Sequence, residues 1–255
     1  MNCIFISVRT DSTRLPNKAL LNICNKPSIE YLIENIKKSE EADDIILCTT
    51  LLKSDDELCK IAQKNKIKYF RGSSEDKLAR WLGACKKFKV DFFVNVDGDD
   101  LFFDYKLADL VFKQNANNPA DFIDGQGYYN DVYGASFDGL RKVCAIKTSD
   151  NTEFIKSYFN SCKDFIKIKK LCNVPEIYFK KDIRMTLDYQ EDFVFFETII
   201  KNFLELKLEL TFENVLSYVE NNQNLKDINW FREVEWKDNQ NKMIKSIDSS
   251  FLKNE

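Results

Sequence analysis

The first hundred residues alternate between short apolar runs and longer segments in which apolar residues recur every three or four positions. Short apolar runs bounded by polar residues are typical of buried strands, whereas the longer periodic segments are typical of amphipathic helices. Because parallel strands need long crossover connections, this alternation predicts a mainly parallel sheet. We therefore expect an α/β, Rossmann-like fold with helices on both faces of the sheet.

Four strands are predicted in this half, at residues 3–8, 44–49, 67–70 and 92–96. Helices are predicted after Pro27, from Asp55, and after Ser73, which has the side chain of an N-cap residue. The second half is less regular, and its polar segment 124–139 indicates a surface loop or hairpin insert. Further strands are predicted at 143–147 and 183–188, and helices around 107–111, after a cap at Ser149, at 191–203 and at 211–221.

The length of 255 residues suits one α/β domain with a small appendage. We expect a single domain over 1–222, with the insert near 124–139, and a C-terminal tail over 223–255 that docks on it through Trp230, Phe231 and Trp236. The net charge of −3 and pI near 5.4 argue against a nucleic-acid partner.

Three patterns that would indicate a membrane or an oxidising compartment are missing from the sequence. The chain has no apolar run of membrane-spanning length, and its N-terminus lacks the pattern of a secretory signal. Its eight cysteines include no Cys-x-x-Cys pair and fall mostly in apolar segments, which predicts reduced core thiols. We expect a cytoplasmic protein without a membrane partner.

The chain contains no histidine. Ser-His-Asp hydrolysis, Cys-His catalysis and histidine-ligated metal sites are therefore excluded. A bound metal would need oxygen ligands, which favours Mg²⁺ or a similar hard cation.

The loop after the first predicted strand concentrates positive charge. Arg9, Arg14 and Lys18 follow Val8, with the hydroxyl of Ser12 among them. In an open α/β sheet this position faces the ligand crevice, so the cations are candidates for binding phosphates. A solvated charged loop is the alternative, and the glycines of a P-loop or dinucleotide fingerprint are missing.

The fourth predicted strand ends at Asp97-Gly98-Asp99-Asp100. Carboxylates just past a strand end would face the same crevice, where they would hold the metal of a nucleoside triphosphate. Asp-Gly is also a common turn pair, and Asp97 and Asp100 suit a turn or supporting role equally well. The Asp-x-Asp pattern is shared with nucleotide-sugar-dependent glycosyltransferases, which leaves glycosyl transfer as an alternative.

Several motifs in order resemble those of the CMP-sugar synthetases. They are Arg9-x-x-Ser12-Thr13-Arg14-Leu15-Pro16-x-Lys18, Asn25-Lys26-Pro27, Phe70-Arg71-Gly72-Ser73, Gly98-Asp99 and Arg184-Met185-Thr186-Leu187-Asp188-x-x-Glu191-Asp192. The likeness is greatest to the 3-deoxy-manno-octulosonate cytidylyltransferases and to the spore-coat polysaccharide cytidylyltransferase-like group. It covers the first half well and resumes near residue 184.

This resemblance implies a fold of the nucleotide-diphospho-sugar transferase type and Mg²⁺-dependent transfer of CMP from CTP to an acceptor oxygen. It implies catalytic roles for Arg14, Lys18 and Asp99, with Asp99 and Asp188 as metal ligands. The residues expected to contact the nucleotide are Val8, Arg9, Ser12, Arg14, Lys18, Arg71, Ser73 and Asp97. A homodimer is also expected from the resemblance.

The acceptor is less constrained by the sequence. The resemblance favours a 2-keto sugar acid, with a sugar phosphate or a small phosphonate as the alternative. An anionic acceptor needs further cations or polar groups, for which the candidates are Gln126, Tyr128, Arg141 and Arg184. Each arginine would serve equally well as a surface charge or in a structural ion pair. A nucleotide-binding domain without catalysis is the non-enzymatic alternative.

Overall fold

The structure is a computed structural model that describes residues 1–125, 132–179 and 182–240. Its strands are β1 (Asn2–Ser7), β2 (Asn22–Ile23), β3 (Lys26–Pro27), β4 (Asp44–Thr50), β5 (Lys68–Gly72), β6 (Phe92–Asp97), β7 (Phe122–Asp124), β8 (Tyr133–Ser136) and β9 (Ile168–Lys170). Its α-helices are α1 (Ser28–Ile36), α2 (Asp56–Lys64), α3 (Lys77–Phe88), α4 (Tyr105–Asn117), α5 (Phe137–Ile146), α6 (Ile155–Ser161), α7 (Gln190–Leu206) and α8 (Phe212–Asn221).

Among these described residues, seven strands form one sheet in the order β5-β4-β1-β6-β8-β7-β9. The pairs β4/β5, β1/β4 and β1/β6 are parallel, and β8 runs antiparallel to both of its neighbours. The mainly parallel sheet expected from the sequence is therefore confirmed. The carboxyl ends of β5, β4, β1 and β6 lie along one edge, where such sheets bind ligands.

Side chains of β1 alternate between two apolar cores, one on each face of the sheet. Ile4 and Ile6 belong to the core that α1, α4 and α7 cover, whereas Cys3 and Phe5 belong to the core under α3 and α5. Phe5 stacks on Phe93 with ring centroids 4.4 Å apart. Burial on both faces explains why this strand is a continuous apolar run. All eight cysteines are free, and five are buried, as the sequence predicts.

The cap of α3 differs from the prediction. Asp76, not Ser73, is the N-cap, and its carboxylate accepts a hydrogen bond of 2.9 Å from the Ala79 backbone N–H. Ser73 Oγ instead accepts a bond of 3.0 Å from the Asp76 backbone N–H, so it stabilises the turn before the helix.

The prediction of a strand at 143–147 is wrong, because residues 143–146 are the last turn of α5 and Lys147 is its C-cap. Leu140 and Val143 are buried one turn apart, and Ser136 caps the helix by accepting from the Gly139 N–H at 2.9 Å. The predicted cap at Ser149 is also wrong, since α6 begins later, at Ile155. Within the described part of the segment 124–139, β8 pairs antiparallel with β7 in the main sheet, in line with the hairpin alternative, and α5 begins at Phe137.

The predicted strand at 183–188 is an irregular segment. The Leu187 N–H donates to the Asp99 carbonyl at 3.0 Å, and the Asp188 N–H donates to the Asp192 carboxylate at 2.9 Å. Because its backbone bonds go to a loop and to a side chain, the segment joins no sheet. None of the helices in the described ranges is long and apolar enough to span a membrane.

Candidate active site

A buried aspartate fixes the loop after β1 to the end of β4. Asp55 Oδ1 accepts hydrogen bonds from the backbone N–H and hydroxyl of Thr10, at 2.9 and 2.7 Å. Asp55 Oδ2 accepts from Thr49 Oγ1 at 2.8 Å and from the Thr50 N–H at 3.1 Å. Burial alone would raise the pKa of Asp55, but these donors hold it below its ordinary value. The sequence suggested only a helix start here.

Gly98 allows the loops after β1 and β6 to meet. Its N–H donates to the Ser7 carbonyl at 2.9 Å, and a Cβ at this position would lie 2.7 Å from Val8 Cβ. A side chain at position 98 would therefore push the cationic loop away from the aspartates that follow β6.

Lys18 links two aspartates that are distant in the sequence. Its Nζ donates to Asp188 Oδ1 at 2.8 Å and to Asp99 Oδ2. Burial alone would lower the pKa of Lys18, but the two carboxylates raise it above its ordinary value. Ser28 Oγ donates to the Lys18 carbonyl at 2.6 Å and so fixes its backbone. Lys18 is therefore a charged, preorganised group.

Arg14 contacts the same carboxylate as Lys18. Its Nη2 donates to Asp188 Oδ1 at 2.6 Å, and its guanidinium lies 5.8 Å from the ring centre of Tyr189. The structure thus brings together Arg14, Lys18, Asp99 and Asp188, all four of which the resemblance placed in the active site.

Negative charge is concentrated around these cations. Burial and the neighbouring carboxylates raise the pKa of Asp100 well above its usual range. Burial also raises the pKa of Asp99, although Lys18 opposes that shift. Burial would likewise raise the pKa of Asp188, but Lys18 and Arg14 hold it at about 2. Asp188 is therefore the firmly ionised member of the group.

Asp97 has a cationic partner of its own. Lys77 Nζ donates to Asp97 Oδ1 at 2.7 Å, and Asn95 Nδ2 donates to the same oxygen at 3.2 Å. Burial would raise the pKa of Asp97, but Lys77 lowers it below its ordinary value. Asn95 is itself fixed, because its side-chain oxygen Oδ1 accepts a hydrogen bond from Ser7 Oγ at 2.5 Å. Sequence reasoning missed Lys77, which looks like an ordinary polar residue at a helix start.

A buried salt-bridge network holds the segment that carries Asp188. Arg184 donates through Nε and Nη2 to Asp192, at 2.9 and 3.1 Å, and through Nη2 to Asp188 Oδ2 at 3.4 Å. Its Nη1 donates to Glu233 at 3.1 Å, and its side chain is 1% exposed. The expectation that Arg184 binds the acceptor is not supported, because its guanidinium is already engaged by carboxylates inside the protein.

Residues after α8 complete this network. Asn229 is fully buried, and its Nδ2 donates to the Arg184 carbonyl at 3.1 Å and to Asp192 Oδ1 at 2.9 Å. Arg232 donates to both carboxylate oxygens of Glu191, at 3.0 and 2.8 Å. Of the three aromatic residues predicted to dock the tail, Trp236 has its ring centre 5.7 Å from the Arg184 guanidinium, whereas Phe231 is 57% exposed. The described tail therefore docks mainly through polar groups and through Trp236.

Arg71 and Ser73 lie at the β5 end of the same sheet edge. Arg71 donates to the Thr50 and Leu52 carbonyls, both at 2.8 Å, and to the Asp56 carboxylate at 2.7 Å. These bonds tie β5 to the segment after β4, which gives Arg71 a structural task. Arg71 and Ser73 have no described contact with the Lys18 cluster, so their contact with a nucleotide stays a prediction.

Arg9 and Ser12 belong to the loop but point to different neighbours. Arg9 Nη1 donates to the Ser74 carbonyl at 3.2 Å, and its Nη2 lies 3.9 Å from Glu153. Ser12 is half-buried, and its N–H donates to the Thr10 carbonyl at 2.9 Å. Arg9 thus lies with the loop after β5 and not beside Asp99.

The remaining acceptor predictions are untested by the geometry. Gln126 and Tyr128 lie outside the described residues. Arg141 is an exposed residue of α5 that lies 3.5 Å from Asp138, one turn away. It has no described contact with the Lys18 cluster.

The carboxylates fit a magnesium ion only with help from a ligand. Asp99 Oδ2 and Asp188 Oδ1 both contact Lys18 Nζ, so the two carboxylates face one point where a cation lies. Within the described ranges no three His, Cys, Asp or Glu side chains cluster closely enough to hold a metal. Mg²⁺ in nucleotide enzymes commonly takes one or two carboxylates and completes its shell with phosphate oxygens and water. The donor set suits that arrangement.

The comparison with known families identifies the chain. The sequence profile described as Cytidylyltransferase matches residues 3–201, a span that includes the cationic loop, Asp99 and Asp188. The chain belongs to the cytidylyltransferase family. It is a nucleotidyltransferase, as the motifs predict, and membership favours nucleotidyl transfer over the glycosyl transfer that the Asp-x-Asp pattern also allowed.

The cytidylyltransferase is similar to proteins from several organisms. It is 29% identical over 241 residues to an uncharacterized protein of Methanocaldococcus jannaschii, covering 90% of this chain and 97% of the relative. It is 24% identical over 198 residues to the spore coat polysaccharide biosynthesis protein SpsF of Bacillus subtilis, covering 74% and 81%. It is 31% identical over 130 residues to a 3-deoxy-manno-octulosonate cytidylyltransferase of Aliivibrio salmonicida, covering 47% of each chain.

The fold is shared with solved structures. A cytidylyltransferase from Leptospira borgpetersenii superposes with a TM-score of 0.79 at 25% identity, covering 88% of this chain and 96% of that one. The predicted fold type of the cytidylyltransferase is thereby confirmed.

Proposed function

We propose that this cytidylyltransferase transfers CMP from CTP to an acceptor oxygen and releases pyrophosphate. The observation that carries the proposal is the Lys18 ammonium between Asp99 and Asp188, with Arg14 on the same carboxylate. These cations lie at the carboxyl edge of β1 and β6, where a nucleotide would lie in this fold. The match of residues 3–201 to the cytidylyltransferase family supports CTP as the donor.

The proposed reaction needs charge neutralisation more than covalent chemistry. The acceptor oxygen forms a bond to the α-phosphorus and gives up its proton. The bond from the α-phosphorus to the bridging oxygen breaks, and pyrophosphate leaves with that electron pair. Arg14 and Lys18 would bind the phosphates and stabilise the negative charge that develops on the leaving group. Asp188 orients both cations before CTP binds.

Asp99 and Asp188 would hold Mg²⁺ together with the phosphates of CTP. When bound, the ion would neutralise phosphate charge and lower the pKa of an acceptor hydroxyl. Val8, Ser12 and Asp97 would contact the nucleotide beside this pair, and Arg9 would contact it nearer to β5. Asp188, with its low pKa, supplies a permanent negative charge for the ion.

A 2-keto sugar acid is the proposed acceptor, and a CMP-sugar for surface polysaccharide the product. Two named relatives support this choice, one a 3-deoxy-manno-octulosonate cytidylyltransferase and the other a spore coat polysaccharide biosynthesis protein. A cytoplasmic homodimer remains the expectation from sequence, and sedimentation at several concentrations tests the dimer.

Pyrophosphate release tests the proposal. The enzyme is incubated with each of the four nucleoside triphosphates and a panel of 2-keto sugar acids, sugar phosphates and phosphonates, with Mg²⁺ or with EDTA. We expect release with CTP, a sugar acid and Mg²⁺, and loss of release in Asp99→Asn. Asp164→Asn, an exposed aspartate, is the matched control. Release that needs no acceptor, or equal release from Asp99→Asn, would contradict the mechanism.

A further inference from the structure

Asp55 is a buried carboxylate without an ion-pair partner. It is fully buried, and no lysine or arginine of the described chain lies within ion-pair distance of it. Arg80 of α3 is also buried, but it donates to the Ser73 carbonyl at 2.5 Å. Five hydrogen bonds compensate the charge of Asp55 instead, and their donors belong to Thr10, Thr49 and Thr50. Because a buried charge is tolerated only when its hydrogen bonds are made, these donors are held in place.

Each carboxylate oxygen of Asp55 accepts a main-chain N–H. Oδ1 accepts that of Thr10 at 2.9 Å, and Oδ2 accepts that of Thr50 at 3.1 Å. A main-chain N–H can only donate, so an acceptor is needed on both sides. The isosteric asparagine would turn its NH2 group towards one of these donors. A carboxylate at position 55 therefore ties the loop after β1 to the end of β4, and a carboxamide would break one of the two ties.

Thr10 is the point on which the cationic loop closes. Its carbonyl accepts hydrogen bonds from the N–H groups of Ser12, at 2.9 Å, and of Asn17, at 3.2 Å. Asn17 has a φ of 55°, in the left-handed region that asparagine tolerates better than most residues. The loop therefore closes on Thr10 with Arg14 inside it, and a shift of Thr10 is passed to both ends of the loop.

The far end of the loop has anchors of its own. Leu15 is buried in the apolar core, and the Lys18 carbonyl accepts from Ser28 Oγ at 2.6 Å. Asp55 holds the near end. The two cations keep their relative position only while both ends are held, so loss of the near tie would displace Arg14 relative to Lys18.

We propose that Asp55 and Thr10 are positioning residues for nucleotidyl transfer, which place Arg14 and Lys18 at the phosphates where negative charge develops. This inference rests on the proposed function. Both residues are buried and act through the loop, without touching the substrate. Because a misplacement of about 1 Å can lower a rate about 100-fold, the effect is expected on turnover.

Two valine variants test the inference, because Thr10 and Thr49 each donate one hydroxyl to Asp55. Thr10 Oγ1 lies 2.7 Å from Oδ1, on the loop side, and Thr49 Oγ1 lies 2.8 Å from Oδ2, on the strand side. Thr10→Val and Thr49→Val thus remove equivalent hydrogen bonds and should lower the thermal midpoint equally. Pyrophosphate release is measured well below both midpoints, at saturating CTP and with the acceptor that the wild type uses. We expect kcat to fall about 10-fold in Thr10→Val and to stay at the wild-type value in Thr49→Val.

Two further variants complete the test. Thr10→Ser keeps the hydroxyl and should keep wild-type kcat, whereas Asp55→Asn breaks a main-chain tie and should lower kcat about 100-fold. Equal kcat in the two valine variants, whether unchanged or reduced, would overturn the inference and leave CTP transfer standing. A loss in Thr10→Ser as large as in Thr10→Val would overturn it as well. A folded wild type that releases no pyrophosphate from any nucleoside triphosphate would overturn the proposed function, and this inference with it.

Discussion

The two ends of the ligand edge hold their cations in opposite ways. At the β1 and β6 end, Arg14 and Lys18 are matched by Asp99 and Asp188 at hydrogen-bond distance. At the β5 end, Arg80 has no carboxylate partner in the described chain, and Arg9 has only Glu153 at 3.9 Å. The matched cations are compensated inside the fold, whereas Arg80 is buried without a compensating charge. The difference separates an electrostatically balanced end from an end that carries uncompensated positive charge.

The largest expected effect comes from breaking a matched pair. Arg184→Met would leave Asp192 buried without its cation, although Asp188 would keep Lys18 and Arg14. Removing one partner of a buried pair typically costs about 3–5 kcal/mol. Urea unfolding measures the free energy of unfolding. Arg80→Met is the comparison, since the same substitution there should cost nothing. A loss below about 1 kcal/mol in Arg184→Met would show that burial of the pair contributes little.

Lys18→Met should mainly affect turnover. Removing one stabilising donor from a charge-developing transition state typically lowers kcat by about 10²–10³-fold. Pyrophosphate release under saturating CTP measures kcat, with Lys86→Met as the matched control. A variant with unchanged kcat and a raised KM would instead assign Lys18 to ground-state binding.

Acid should weaken the matched end through Asp188. Its pKa is held at about 2, below the ordinary value of 3.8. A depressed carboxylate stabilises the fold above its unfolded pKa, and this contribution is lost as pH falls towards the folded pKa. The loss amounts to about 2 kcal/mol between roughly pH 5 and 2. Urea unfolding at several pH values measures how the free energy of unfolding depends on pH. This dependence should be weaker in Asp188→Asn than in the wild type, and an equal dependence would refute the low pKa of Asp188.

The smallest effect belongs to the loosely compensated end. Glu153 is 52% exposed and 3.9 Å from Arg9, so Glu153→Gln should change the free energy of unfolding by less than about 0.5 kcal/mol. Chemical denaturation measures it. A loss of unfolding free energy well above about 1 kcal/mol would mean that Glu153 compensates the charge of Arg9. The contrast between the two ends of the ligand edge would then weaken.

The strands that were predicted correctly differ from the segment that was not in the partners of their backbone hydrogen bonds. Strands β1, β4 and β6 were predicted correctly because ladder bonds and two-sided burial produce plain apolar runs, whereas the two-residue strands β2 and β3 were missed. The segment at 183–188 looked the same, yet its backbone bonds go to the Asp99 carbonyl and the Asp192 side chain. Residues 143–147 were ambiguous because short apolar runs suit either structure.

The candidate site was predictable where the chemistry lies in compact motifs. Lys18 lies in the loop after β1 and Asp99 follows β6, at the edge where this fold binds ligands. Asp188 was predicted from the resemblance to the family. Arg80 and Asp55 gave no such signal, since each looks like an ordinary polar residue of a helix start or surface face. Only tertiary packing shows that both are buried, Arg80 without a carboxylate partner and Asp55 hydrogen-bonded through both carboxylate oxygens.

The buried network around Arg184 has a practical consequence for shortening the chain. The family match ends at residue 201, but Asn229 and Glu233, which hold Arg184 beside Asp188, lie beyond it. A protein trimmed to the matched segment would keep every motif and lose the groups that position one of its two central aspartates. A truncation at the end of the family match therefore falls short of the unit that must be expressed together.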